Sequence, residues 1–207
     1  MRKPILLVIA GCNGSGKSSF SKALTSNNNS AYDYDLVFLE KYNSLIDNEL
    51  KERMAHNLSM EDLKSNISTS ISDKSDFCYE TNFNSTPLHW PETFKKENYR
   101  IELAFFCLDS IEKAKKRVQI RVENGGHFVP DLEIEKRYNL GFKNLNKHWK
   151  FFDAIHLFET STYNKEPKHL LSIEQNELVI LESFPKYLNE LIPNVAERKN
   201  NYLQHCI

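Results

Sequence analysis

The segment at residues 11–18 carries the residue types that bind phosphate groups, at the spacing that phosphate binding requires. It reads Gly11-Cys12-Asn13-Gly14-Ser15-Gly16-Lys17-Ser18, a complete G-x-x-x-x-G-K-[ST] pattern. Glycines at positions 14 and 16 let successive backbone N–H groups converge on phosphate oxygens. Lys17 would then reach the outer phosphates, and the Ser18 hydroxyl would bind the magnesium ion that bridges them. The segment therefore predicts that ATP and Mg²⁺ are bound through Gly11, Asn13, Gly14, Ser15, Gly16, Lys17, Ser18 and Ser19.

The residues on both sides of this loop predict the elements that position it. Residues 5–10 form a short, continuously apolar run, typical of a parallel strand buried on both faces. Residues 18–24 can begin a helix, because Phe20, Ala23 and Leu24 fall at helical spacing. The positive N-terminal end of that helix would add to the attraction for phosphate.

Apolar runs alternate with helical patterns along the rest of the chain. Further strands are predicted at 31–34, 77–79, 101–108 and 154–158, with a hairpin from 171–174 and 178–181. Helices are predicted to begin at Ser59, Ser110, Asp131 and Lys186, and a solvated tail at Pro193. This alternation predicts an α/β protein with a mainly parallel sheet and helices on both faces. Because no linker divides the 207 residues, we expect a single domain over 1–207.

The composition disfavours several classes of partner. The 27 basic and 28 acidic residues give a formal charge of −1, which offers no global attraction to nucleic acid or anionic membrane. No apolar run approaches the roughly 20 residues of a transmembrane helix. The four cysteines lie far apart without C-x-x-C spacing. This arrangement favours the reduced thiols of a cytoplasmic protein.

Polar residues after the predicted strands are further candidates, since ligands of open parallel sheets bind outside the carboxyl ends of the strands. Asp33 and Asp35 follow the second strand. Either could accept the proton of a substrate hydroxyl that attacks the outer phosphate of ATP, or could instead cap a helix from Leu36 onward. Glu80 and Thr81 follow the third strand, where they would hold the acceptor, order a magnesium-bound water or form a turn.

Three arginines around a glycine joint form the last candidate group. Arg117 and Arg121 are one helical turn apart, and residues 125–130 lead from their helix to that of Arg137. Two such helices predict a lid at about residues 110–150, whose cations neutralise charge on the moving phosphoryl group. The alternative is a solvated basic helix face. We favour the lid role for Arg121 and Arg137 and the surface role for Arg117.

Together these segments resemble the zeta-toxin-like P-loop kinases over residues 4–162. The resemblance rests on the phosphate loop, on Asp33-Tyr34-Asp35 and Glu80-Thr81, on Arg117-Val118-x-x-Arg121-Val122, on Gly125-Gly126-His127-x-Val129-Pro130, on Ile134-x-x-Arg137-Tyr138 and on Asn144-Leu145. It implies a three-layer P-loop nucleoside triphosphate hydrolase/kinase fold with a helical lid, and an ATP-dependent small-molecule kinase. Zeta toxins phosphorylate UDP-N-acetylglucosamine on the sugar and are neutralised by a small antitoxin. The resemblance thus implies a nucleotide sugar as one acceptor and an antitoxin protein as a partner.

On the family pattern Asp35 matches the general base, Glu80 and Thr81 the substrate region, and Arg121 and Arg137 the lid. With Lys17, these residues are the candidate catalytic and substrate-binding set. The chain departs from the pattern at Cys12, where proline is usual, at Asp33, where asparagine is common, at Asn82, where a second threonine is frequent, and at Leu140, where an arginine often occurs.

Two other functions use the same features. A nucleic-acid end kinase shares the loop and the lid, but it needs a basic groove that the near-neutral charge does not indicate. An ATP-binding switch without phosphate transfer would result if Asp35 were not placed as a base. We expect a cytoplasmic enzyme that transfers phosphate from ATP to a hydroxyl of a small molecule, without a membrane or nucleic-acid partner.

Overall fold

A computed structural model describes residues 2–24, 30–126, 128–174 and 177–205 of the chain. Its sheet has six strands: β1 (Ile5–Ala10), β2 (Phe77–Thr81), β3 (Arg100–Cys107), β4 (Ala154–Glu159), β5 (Lys168–Glu174) and β6 (Glu177–Ile180). The spatial order is β2-β1-β3-β4-β5-β6. The first four strands in that order pair in parallel, while β5 and β6 are antiparallel. The mainly parallel sheet predicted from the sequence is confirmed.

Helices occupy both faces of this sheet, but unequally. They are α1 (Lys17–Leu24), α2 (Tyr34–Ser44), α3 (Lys51–Asp73), α4 (His89–Lys96), α5 (Ile111–Glu123), α6 (Asp131–His148), α7 (Lys186–Leu191) and α8 (Pro193–His205). The larger core contains side chains of the sheet and of all the helices from α3 through α8. In the smaller core, Phe20 and Leu24 of α1 pack against Ile9 and Phe106 on the opposite face. The three-layer α/β arrangement follows from these two cores.

Most of the predicted elements are present. The Ser110 hydroxyl accepts a hydrogen bond from the Lys113 N–H at 3.3 Å and so caps α5. Helix α6 begins at Asp131 as predicted, and its Ile134 and Leu145 side chains are buried. Strands β5 and β6 pair as the predicted hairpin. Its turn residues 175–176, together with His127 and Cys206, lie outside the described residues.

The predicted second strand at 31–34 is wrong, because it shrinks to a single bridge between Tyr32 and Tyr79. The backbone then turns at once into α2, whose N-cap is Asp33. Capping by this carboxylate stabilises the helix start, and it outweighs the strand preference of the flanking tyrosines.

Two further boundaries also differ from the prediction. Helix α3 begins at Lys51 rather than Ser59. Ser59 is fully buried in the helix interior, where its hydroxyl donates to the Ala55 carbonyl at 2.8 Å instead of capping. The expected solvated tail from Pro193 is helix α8, because proline suits the first helical position and Val195 is buried in the core.

Within the described residues, the helices are all too short or too polar to span a bilayer. Cys12, Cys78 and Cys107 are buried free thiols. Burial raises the pKa of the Cys12 thiol to about 11, so this residue of the phosphate loop stays protonated at neutral pH.

Candidate active site

A cavity of about 780 Å³ lies beside the phosphate loop at the carboxyl end of β1. Parallel strands direct the loops that follow them to one edge of the sheet, and this edge is where the predicted residues meet. The cavity is lined by most of the predicted site residues: Asn13, Gly14, Gly16, Lys17, Ser18, Ser19, Asp35, Glu80, Thr81, Arg121 and Arg137. Asp33 and Arg117 line it as well. Segments far apart in the sequence therefore share one site.

The phosphate loop takes a backbone path that only glycine permits at position 14. Gly14 has φ +77°, and a Cβ there would lie 2.9 Å from the Ala114 carbonyl oxygen of α5. The Ser15 N–H donates to the Cys12 carbonyl at 3.2 Å, and the Ser15 hydroxyl is buried without a hydrogen-bond partner among the described residues. Ser15 thus shapes the loop, and its contact with ATP stays a prediction.

The Lys17 ammonium group is folded onto the loop. Its Nζ lies 2.8 Å from the Gly11 carbonyl oxygen, 3.0 Å from that of Cys12 and 3.3 Å from Asn82 Oδ1. Burial lowers the pKa of Lys17, and the neighbouring carboxylate of Glu80 opposes this shift. These three oxygens hold the amine where an incoming phosphate oxygen could replace them.

The Ser18 hydroxyl lies within hydrogen-bond distance of two carboxylates. Its Oγ lies 2.7 Å from Glu80 Oε2 and 3.1 Å from Asp33 Oδ2. Hydroxyl and carboxylate oxygens are the ligands that Mg²⁺ prefers, usually completed by substrate phosphates and water. Within the described part of the chain, no group of three or more His, Cys, Asp and Glu side chains is arranged to hold a metal. The donor set fits a magnesium ion that arrives with nucleotide.

The surroundings of Glu80 disfavour its charged form. Burial raises the pKa of Glu80. The hydrogen bond from Ser18 and the charge of Lys17 act in the opposite direction but do not cancel this shift. A cation beside Glu80 would therefore relieve an unfavourable charge that the folded chain carries without it.

The two aspartates of α2 differ in how their oxygens are used. Asp33 Oδ1 accepts the Leu36 N–H at 3.2 Å, and its Oδ2 accepts the Ser18 hydroxyl. The capping interpretation is thus correct for Asp33, although the helix begins at Tyr34 rather than Leu36. Asp35 stands in the first turn of α2 with an exposed side chain that lines the cavity. The role of Asp35 as general base stays a prediction.

Thr81 and the residues after it form a turn that α6 holds in place. Thr81 Oγ1 accepts the Phe83 N–H at 3.0 Å. Asn144 of α6 donates from Nδ2 to the Phe83 carbonyl at 2.9 Å and to the Asn84 carbonyl. Gly141, one turn earlier, sits so close that a Cβ would lie 3.2 Å from the Asn82 carbonyl oxygen. The turn-forming role of Thr81 is the one its hydrogen bond supports.

Arg117 braces the phosphate loop, so the surface role we favoured for it is wrong. Its Nη1 donates to the Gly14 carbonyl at 3.1 Å and its Nη2 to the Thr160 carbonyl at 2.6 Å. The guanidinium carbon also lies 5.5 Å from the centre of the Tyr163 ring. A planar fork can make all three contacts at once, which a solvated side chain would not.

Arg137 already lies at the loop. Its Nη1 donates to Asn13 Oδ1 at 3.2 Å, and its Nε to Glu133 Oε1 at 2.9 Å. Helix α6 is packed into the core, where the Tyr138 hydroxyl donates to the Leu108 carbonyl at 2.9 Å. Arg121 is exposed near the end of α5 and lines the cavity. Within the predicted lid region, α6 is thus a fixed wall.

Sequence reasoning gave no role to several side chains that support the site. Asn82, Thr160 and Asn144 contact Lys17, Arg117 and the turn after β2, respectively. Asn82 and Thr160 come directly after strands, and this position could have identified them as candidates for the site. Asn144 carried none beyond its place in the family pattern.

Comparisons with known proteins agree with this geometry. A family model described as Zeta toxin matches residues 1–166. No curated protein matches the chain in sequence. A chain of the AvrRxo1-ORF1:AvrRxo1-ORF2 complex has a TM-score of 0.68 and 13% identity, over 92% of this chain and 63% of that chain.

Two other solved structures share the fold. A chain of the PezAT chromosomal toxin–antitoxin system of Streptococcus pneumoniae has a TM-score of 0.61 and 13% identity, over 98% of this chain and 88% of that chain. A chain of the Pnkp1/Rnl/Hen1 RNA repair complex has a TM-score of 0.55 and 23% identity, over 74% of this chain and 47% of that chain. The present chain thus spans about half of that RNA repair chain. Likeness at such low identity shows the fold alone.

The family match includes the phosphate loop, the carboxylates at the sheet edge and the arginines of α5 and α6. It runs from the first residue through β4 and confirms the resemblance on which the sequence analysis relied. This chain belongs to the zeta-toxin family and has the kinase-like P-loop fold of that family.

Proposed function

We propose that this protein transfers the outer phosphoryl group of ATP to a hydroxyl group of a small molecule. The observation that carries the proposal is the cavity that Lys17 and Ser18 of the phosphate loop line together with Asp35 and Glu80. In the roles proposed for them, the groups that hold phosphate and the group that accepts the proton border one space, which supports phosphoryl transfer.

In the proposed reaction, the acceptor hydroxyl oxygen attacks the outer phosphorus as its proton passes to the Asp35 carboxylate. The bond from that phosphorus to the bridging oxygen breaks, and ADP leaves with that oxygen. Lys17, Arg121 and Arg137 stabilise the charge on the moving group. Ser18, Asp33 and Glu80 would hold magnesium, which when bound supplies positive charge between the phosphates.

A protein partner is part of the proposal. The PezAT and AvrRxo1 chains that share this fold both come from systems with two components. A toxin role held in check by an antitoxin is therefore the biological setting we propose. Family membership alone would suggest a nucleotide sugar as the acceptor. The charge and chemistry of the cavity wall test this suggestion.

Thermal unfolding with magnesium and ATP tests the first step. At 100 times the dissociation constant, bound nucleotide should stabilise the fold by about 2.7 kcal/mol. Lys17→Ala should lose most of that stabilisation. Lys22→Ala, the same change five residues further along α1 and outside the cavity, should keep it.

Transfer is then tested by phosphorus NMR and mass spectrometry of a metabolite mixture, and separately of an oligonucleotide, incubated with the protein, magnesium and ATP. A phosphorylated metabolite supports the proposal. Phosphorylation of the oligonucleotide alone would make the protein a nucleic-acid end kinase. Binding of ATP without any transfer would leave an ATP-binding switch.

A further inference from the structure

The cavity has two halves, which the topology separates. The phosphate loop follows β1, with β2 on one side of it in the sheet and β3 and β4 on the other. We call the wall from α2, α3, the end of β2 and residues 82–90 the acceptor half, because it contains Asp35. The nucleotide half is the wall from the phosphate loop, α5, Arg137 of α6 and residues 160–165.

Positive charge is confined to one of these halves. Among the described residues that line the cavity, the arginines and lysines other than Lys17 are Arg117, Arg121, Arg137 and Lys165, and all four belong to the nucleotide half. The charged residues that line the acceptor half are Asp33, Asp35 and Glu80. Its further titratable side chains are His56 and Tyr34, with Tyr79 deeper in the wall.

A neighbouring lysine does not supply the missing charge. Lys41 of α2 pairs with Asp62 of α3 at 3.9 Å and is not part of the cavity wall. With Asp33 and Glu80 in the proposed magnesium site, a phosphorylated acceptor would bring its negative charges to Asp35, and no lysine or arginine among the described residues that line this half would offset them. Like charges brought together in this way oppose binding.

The rest of the acceptor half is aromatic and polar. The Tyr34 and His56 rings are stacked, with centroids 6.2 Å apart, and Trp90 of α4 also lines this half. Asn84, Ser85 and Thr86 add amide and hydroxyl groups. Flat aromatic faces suit the C–H face of a ring, and polar groups suit its hydroxyls. An ammonium group would be favoured by both the Asp35 carboxylate and the aromatic rings.

Building on the kinase function proposed above, we propose that the acceptor is a polyhydroxylated ring without phosphate, either neutral or carrying an amino group. Such a sugar or cyclitol places its hydroxyl at Asp35 and lays its ring against the aromatic wall. The nucleotide half alone then binds phosphate. This separates the present chain from an enzyme that takes a nucleotide sugar.

The test fractionates a small-molecule extract of bacterial cells on an anion exchanger at neutral pH. Neutral and positively charged compounds flow through, whereas phosphorylated compounds are retained and are eluted with salt. Each fraction is incubated with the wild-type protein, magnesium and ATP labelled on its outer phosphate, and the Lys17→Ala protein sets the background. We expect at least about tenfold more labelled product from the flow-through.

A smaller preference, or labelling of UDP-N-acetylglucosamine supplied alone at a comparable rate, would overturn this inference and leave the kinase function standing. No labelled product from either fraction would defeat both.

A paired substitution tests whether charge sets the preference. Thr86→Lys adds a cation inside the acceptor half, and Thr69→Lys adds the same cation on the exposed face of α3 outside the cavity. Thr86→Lys should reduce the preference for the flow-through by about tenfold, whereas Thr69→Lys should not change it. An unchanged preference in both variants would show that charge does not select the acceptor and would overturn the inference.

Discussion

The phosphate loop and the acceptor half of the cavity are encoded in the sequence in different ways. The phosphate loop of residues 11–18 is one uninterrupted segment between β1 and α1. The acceptor half is assembled from the start of α2, one face of α3, the end of β2 and the start of α4, which together span residues 33 to 90. Binding phosphate needs a fixed arrangement of backbone N–H groups, which a short motif can encode. Selecting an acceptor needs only a surface of suitable shape and charge, which many sequences can supply.

The largest effect should come from Asp35, the proposed base of the acceptor half. Asp35→Asn should lower kcat by about 10²–10⁴, because it removes the proton acceptor. Stabilisation by ATP and magnesium should remain, since Asp35 is not needed to bind the phosphates. Steady-state turnover and thermal unfolding of the same preparation measure the two effects.

Asp33→Asn is the matched control, two residues away. Asparagine caps helices as well as aspartate does, so α2 should stay intact. This variant should weaken magnesium-dependent ATP binding instead. A greater loss of kcat from Asp33→Asn than from Asp35→Asn would transfer the role of base to Asp33.

The next effect concerns Arg137, at the phosphate loop. Arg137→Ala should lower kcat by about 10²–10³ with little loss of ATP affinity, because its contact strengthens as charge moves in the transition state. Arg121→Ala should act in the same direction. Arg137→Lys should restore only part of the rate, since a point charge cannot reproduce the fork that contacts Asn13 and Glu133.

Arg53→Ala, on the exposed surface of α3, provides the comparison for this pair. It should leave turnover unchanged. If ATP affinity fell as much as kcat in the Arg137 variant, that arginine would bind ground-state nucleotide rather than the transition state.

The smallest effect is on stability. Burial raises the pKa of Glu80 in the folded protein above its ordinary value of 4.5, so above that pH its charge opposes folding. Glu80→Gln should therefore raise the free energy of unfolding at pH 7 by about 0.5–2 kcal/mol without nucleotide. The gain should disappear below about pH 4, where Glu80 is protonated in both the folded and the unfolded chain.

Urea unfolding at the two pH values measures this gain. Glu61→Gln on the exposed face of α3 should change stability by less than about 0.5 kcal/mol. If Glu80→Gln destabilises the protein at pH 7, the attraction between the Glu80 and Lys17 charges outweighs the cost of burying the Glu80 charge. Catalysis and stability would then not compete at this residue.

Local chemistry explains which parts of the fold could be predicted. The strands and α5 follow from continuous apolar runs and a serine cap, which act over a few residues. Helix α3 has no side-chain cap at Leu50, so its first residue could not be predicted from a capping pattern. Helix α8 depends on burial of Val195 and Ala196 against distant parts of the core.

The site divides in the same way. The contact of Lys17 with Asn82 spans 65 positions, and that of Arg117 with Thr160 spans 43. No pattern of spacing predicts such a pair, because the sheet order brings the two segments together. The residue types at strand ends were predictable, whereas their partners were not.

Helix α6 crosses from one half of the cavity to the other. Arg137 contacts Asn13 in the phosphate loop, and Asn144, two turns later on the same side of the helix, holds the turn after β2. Two turns of helix span about 10 Å without bending. Because α6 is packed into the core, it holds the phosphate loop and the turn after β2 at a fixed separation. Any coupling between the two sites is reciprocal. If bound ATP changes the affinity for the acceptor by some factor, bound acceptor changes the affinity for ATP by the same factor.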